Sequence, residues 1–142
     1  MIRTLGNLIW LVLGGLAAAF VYFAAGVLLV LPVLTIPLAV QAFKLARYAA
    51  WPFGARLVSG LTSPFHGVVA VVANVLWFPF GVVLSLVHLT GAVASAITII
   101  GIPFAWAHLK LAGVAMIPFG FRVVDVSELT AGTDTFVVRP VG

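Results

Sequence analysis

The chain has 142 residues, 64% hydrophobic and only 7% charged, with a mean hydropathy of +1.31. Soluble domains carry about 25% charged residues, so seven bases and three acids cannot coat this surface, and lipid must solvate most of it. The absence of cysteine excludes a disulfide framework and any thiolate chemistry, and a net charge of +4 over seven scattered bases is too thin for a nucleic-acid interface.

Residues 5–31 contain no ionisable group except the Tyr22 phenol. As one helix they would extend about 40 Å, enough to cross a hydrocarbon core of about 30 Å. Arg3, the apolar run and Ala17-Ala18-Ala19 imitate a signal peptide, but the run far exceeds an h-region of about 7–15 residues. A retained membrane helix is expected. Pro32 and Pro37 bracket a tight turn, because a residue before proline is driven out of the helical region. Residues 38–53 then read as a shorter second helix, ended by Pro52-Phe53-Gly54, which completes a first membrane repeat over 1–58. A polar linker follows over 59–67.

The second repeat occupies 68–124, with a third helix to about residue 97, a turn at 98–102 and a fourth helix over 104–119. Pro79 stands where the first copy has Val12 and should kink the third helix. The tail, 125–142, holds all three acids and a short candidate strand at Val137-Val138.

The duplication is explicit in the residues. Ile36-Pro37, Lys44-Leu45-Ala46 and Pro52-Phe53-Gly54-x-Arg56 return 66 positions later as Ile102-Pro103, Lys110-Leu111-Ala112 and Pro118-Phe119-Gly120-x-Arg122. Asn7, Trp10 and Gly14 return 67 positions later as Asn74, Trp77 and Gly81. A tandem repeat is therefore expected, with one residue fewer in the second copy between Gly81 and Pro103. Two hairpins would set Arg3, Arg56, Arg122 and Arg139 on one side and leave the opposite turns without a base. The positive-inside rule then predicts four membrane-embedded helices with both termini in the cytoplasm. The copies would be parallel repeats about an axis along the membrane normal.

Lys44 and Lys110 stand out, since each lies about 10 Å into a return helix. A lysine there costs roughly 2.5–3.5 kcal/mol on insertion scales. A matched pair would favour anions or anionic head groups, and snorkelling of the long stems to the interface is the plain alternative. Gln41, Lys44, Arg47 and Tyr48 form a polar stripe of which the second copy keeps only the lysine. Arg56, Arg122 and Arg47 suit topology marking and head-group anchoring. Asn7 and Asn74 are placed to cap the long helices or bond across to a neighbour, and Trp10 and Trp77 to join an interfacial aromatic belt. Gly14-x-x-x-Ala18 and Gly91-x-x-x-Ser95 permit close helix contact. His66, His88 and His108 share no ligand spacing and no matched positions. No metal site, cofactor site or catalytic set is expected, and no enzyme.

The doubled pattern Asn-x-x-Trp-x-x-x-Gly, Ile-Pro, Lys-Leu-Ala, Pro-Phe-Gly-x-Arg resembles the YccF family of small bacterial inner-membrane proteins, over about residues 3–124. The resemblance implies a multi-pass protein of the bacterial cytoplasmic membrane and carries no catalytic residue. The expected architecture is an all-α integral membrane protein of two tandem helical hairpins, forming a homo-oligomer. Two functions compete, and the doubled lysine favours the first: a channel-like or transporter-like oligomer passing ions, anions above all, beside Lys44 and Lys110; the alternative is a structural or accessory component binding lipids or a partner protein through Arg56, Arg122 and the tail.

Overall fold

The computed structural model describes residues 1–59 and 64–127. The candidate strand at 137–138 and most of the polar tail lie outside the described residues. The elements are α1 (Ile2–Trp10), a π-helical turn (Leu11–Gly15), α2 (Leu16–Val30), a 3-10 turn (Val33–Thr35), α3 (Ile36–Ala50), β1 (Ala55–Ser59), α4 (Pro64–Ala96), α5 (Ile102–Met116) and β2 (Phe121–Asp125).

Two continuous helical segments, Ile2–Val30 and His66–Ala96, are long and apolar enough to cross a membrane. Only 22% and 17% of their most apolar windows are buried, unlike the core helix of a soluble protein. Leu16, Phe20, Leu28, Val71, Val83 and Val93 stand exposed along them, as lipid solvation requires. The return helices α3 and α5 have 15 residues each, about 22 Å of rise, which falls short of a full hydrocarbon core. Pro79 is accommodated inside α4, which continues through it without a break in helical assignment.

α3 packs back along α2 and α5 along α4. The packed faces carry small residues in register: Ala39, Ala42, Ala46 and Ala49 are buried on α3, and Ala105, Ala112 and Ala115 on α5, with His108 at the position of Ala42. Side chains this small let helix backbones approach closely, the usual basis of packing where lipid supplies no hydrophobic drive.

The last carbonyls of each return helix have no intrahelical partner, and near each end one of them is buried from water. The repeated residues supply them. The Trp10 indole N–H donates to the Ala49 carbonyl (2.7 Å), and Trp77 donates to Ala115 (2.8 Å). The Asn7 side-chain amide donates to the Phe53 carbonyl (2.7 Å) and accepts from the Phe53 N–H (2.9 Å). Asn74 grips Phe119 identically, at 3.0 Å in both directions. Neither asparagine caps a helix, and both tryptophans are fully buried rather than belted at an interface. Gly81 completes the second clamp, since a Cβ there would stand 2.8 Å from the Ala115 carbonyl oxygen.

Beyond the clamps, Gly54 and Gly120 adopt left-handed dihedrals (φ 107° and 101°), which a side chain would penalise by about 1–2 kcal/mol. They turn the chain into β1 and β2, which pair antiparallel. The all-α expectation is therefore corrected by a two-stranded sheet. Each strand is five residues long, and their hydrogen bonding joins one copy to the other across 66 positions, so no local hairpin signal exists. The central pair is Leu57 with Val123, which are themselves equivalent residues at the repeat offset of 66. The register is thus symmetric about a twofold axis through that pair.

The extra residue of the first copy is also located. In the π turn the Leu16 N–H reaches back to the Leu11 carbonyl, five residues rather than four, and Gly14 leaves helical dihedrals (φ 160°, ψ −14°). Such a turn takes one additional residue into a helix without breaking it. From this turn onward the copies correspond at an offset of 66.

Removing either clamp should therefore unravel a helix end. Asn74→Ala would strand both backbone groups of Phe119, and Trp77→Phe would strand the Ala115 carbonyl, at about 1–3 kcal/mol per buried group. Thermal unfolding in detergent should show both variants below wild type, with Asn74→Ala the lower. Equal melting temperatures would refute the clamp.

Candidate functional site

Two polar places exist among the described residues, one in the core and one at the end of the molecule that carries the strands.

The core site joins residues that look unrelated in the sequence. His88 and His108 approach through their Nδ1 atoms (3.1 Å), and His88 Nε2 lies 3.1 Å from the Tyr22 hydroxyl. Expecting no histidine pairing is corrected here, because α4 and α5 are antiparallel neighbours and twenty positions of chain fold back on themselves. With the 66 offset, His88 is the counterpart of Tyr22. Equivalent residues touch only where the axis passes between them, so the axis of the sheet also runs by this contact. His108 occupies the position of Ala42 in the small-residue stripe, and the second copy compensates for its bulk. A Cβ on Gly91 would stand 2.5 Å from the imidazole, and one on Gly14 would stand 3.3 Å from it. Where Gly91 stands, the first copy has Ala25. Trp10 lies over His108 at 4.5 Å and near Phe104 at 6.3 Å, binding the first copy to the second. The two small-residue spacings thus make room for an imidazole. No described group of three or more His, Asp and Glu side chains could hold a metal ion.

The end site gathers the bases. A cavity of about 530 Å³ is lined by Arg3 and Thr4 of α1, by Lys44, Arg47, Tyr48 and Trp51 of α3 and its end, and by strand residues including Asp125. Hydrogen bonds from the Ser127 hydroxyl and backbone N–H hold the Asp125 carboxyl below the usual carboxylate range, with Arg3 adding to the effect. Arg56 and Arg122 are exposed on the paired strands, each opposite a buried valine of the other strand (Val124 and Val58).

The polar stripe on α3 is divided by this geometry. Gln41 turns into the protein and donates to the Pro118 carbonyl (2.7 Å), bridging the copies. Tyr48 is buried, Lys44 half-buried and Arg47 exposed. The two lysines hold matched positions in unlike settings. Lys44 lines the cavity, while Lys110 is exposed and lies over the Trp106 ring at 5.7 Å. Pro37 and Pro103 sit in the first turns of α3 and α5, where the missing N–H costs nothing.

Comparison with known proteins also picks out two units in this chain. The family model described as "Inner membrane component domain", YccF, matches residues 5–55 and 72–121. The chain belongs to the YccF family. The starts of the two matched segments are 67 positions apart and their ends 66, the offsets of the clamps and of the return helices. The inner membrane protein YccF of Escherichia coli (strain K12) is 32% identical over 139 residues, covering 93% of this chain and 94% of that protein. The YccF protein of Shigella flexneri matches to the same extent. No solved structure matches the chain.

The core triad is a packing device with a definite cost of removal. His88→Leu would leave the Tyr22 hydroxyl and one His108 nitrogen unpaired in an apolar interior, at about 1–3 kcal/mol for each. His108→Ala paired with Gly91→Ala restores the residues of the first copy and should recover stability lost in His108→Ala alone. Thermal unfolding of the single and double variants measures both, and a double variant no more stable than His108→Ala would contradict the compensation.

Proposed function

We infer that this YccF protein is a structural or accessory component of the bacterial inner membrane, crossing it in multiple passes. Its basic, strand-paired end faces the cytoplasm and engages anionic head groups. One observation carries this reading: every described base except Lys110 lies at the strand end, on the strands or lining the cavity beside them. From residue 4 to residue 43, and again from 66 to 109, the chain has no lysine, arginine or acid. Such asymmetry is the orientation signal of membrane proteins, and it favours cytoplasmic termini. Anionic lipid attracts bases near its surface by about 1 kcal/mol each.

The core of the described residues is filled by packed side chains. Trp10, Tyr22, Leu45, Trp77, His88 and Leu111 are all at most 1% exposed. A passage through one chain therefore has little support. The channel reading survives in one form, a homo-oligomer in which exposed Lys110 faces neighbouring copies. The exposed lysine and its Trp106 partner favour that form over a pore lined by Lys44.

The accessory reading expects no ion flux from purified protein in liposomes under several ions and potentials. It also expects Arg56→Ala/Arg122→Ala to lower the enrichment of anionic lipid around the protein. Anion flux that changes selectivity in Lys110→Ala would replace it with the oligomeric channel.

A further inference from the structure

The duplication supplies its own control for the cavity at the strand end. Both copies build the same clamp, turn and strand, so any residue the fold requires should appear in both. Lys44 does, as Lys110. The rest of the polar lining does not. At the positions of Arg3, Thr4, Arg47, Tyr48 and Trp51 the second copy has Ala70, Val71, Gly113, Val114 and Ile117. The same backbone thus forms with apolar residues there, and the first copy carries two arginines, a tyrosine and a tryptophan for another reason.

These groups are also available. Arg3, Lys44 and Arg47 make no hydrogen bond or ion pair with any described residue, and no buried side-chain polar atom among the described residues lacks a partner. Tyr48, only 7% exposed, lines the cavity, and its hydroxyl makes no hydrogen bond with a described residue. Three bases face one acid, Asp125, which is already engaged by Ser127. Arginine forks and a hydroxyl converging on one space suit a phosphate. The lining adds a second requirement, since Trp51 within it is 42% exposed and presents an apolar ring. An occupant with a phosphate and an apolar body satisfies both.

We propose that this cavity is a binding site for the phosphate of an anionic phospholipid, held by Arg3, Lys44, Arg47 and the Tyr48 hydroxyl. It deepens the accessory reading above by moving head-group recognition from the exposed strand arginines to a built, one-sided site in the first copy.

Native mass spectrometry of the full chain in detergent, titrated with phosphatidylglycerol, phosphatidylcholine or glycerol phosphate, tests it. Wild type should bind phosphatidylglycerol with one saturating site and bind phosphatidylcholine far more weakly. Arg3→Ala/Arg47→Ala should weaken phosphatidylglycerol about tenfold, and Tyr48→Phe, which keeps the ring packed, by severalfold. Arg56→Ala/Arg122→Ala and Lys110→Ala should leave that site unchanged. Glycerol phosphate bound as tightly as the lipid would keep the phosphate site but overturn the lipid as its occupant. Unaltered binding in both cavity variants, with a loss in Arg56→Ala/Arg122→Ala, would overturn the cavity and leave the accessory reading standing. Loss in neither set would overturn both.

Discussion

The constraint on which this structure depends is that a helix end whose last carbonyls are buried from water must find them partners. Water cannot serve inside lipid or a packed core, and each unpaired group there costs several kcal/mol. The chain solves the problem with one asparagine and one tryptophan from the opening helix of each copy. These contacts reach across 38 to 46 positions and fix where the short helix stops. Everything beyond follows from that stop: the proline and left-handed glycine, the turn, and the strand that leaves it. Because both copies stop alike, their strands emerge as equivalents and pair about a common axis.

Around that axis the copies have diverged by paired changes. A histidine replaces an alanine of the return-helix stripe, and a glycine replaces an alanine on the facing helix, which offsets part of the added volume at the contact. Interiors packed to crystal-like density accept such exchanges and resist single ones. The same logic explains the π turn. One surplus residue is taken up within the first long helix, next to Gly14, and the register of everything after it is preserved. The copies remain superposable where they must meet and differ where they do not.

Polar divergence has a different pattern. In the core it includes Tyr22, His88, His108 and Gln41, each hydrogen-bonded, and the buried Ser85, where the first copy has Ala19. At the strand end the first copy alone is basic and aromatic around its cavity. Three of the chain's seven bases, Arg3, Lys44 and Arg47, all from the first copy, line that one place. Lys44 illustrates the point. Its counterpart Lys110 shows that the helix tolerates a lysine facing outward over an aromatic ring, while Lys44 itself shares a cavity with two arginines.

What the sequence determined by itself was everything written locally or written twice. Apolar length announced the two long helices, proline pairs announced the turns, and repeated Asn, Trp, Gly, Lys and Pro-Phe-Gly announced the duplication and the YccF family. The purpose of the repeated residues was not legible. An asparagine near a helix start reads as a cap and a tryptophan near a membrane end reads as a belt, because local spacing says nothing about a carbonyl some forty positions away. Only the tertiary structure decided those partners. It also decided the strand pairing between copies and the meeting of His88 with His108. Five-residue strands have too little periodicity to be seen alone, and contacts about a twofold axis join residues that no spacing rule connects.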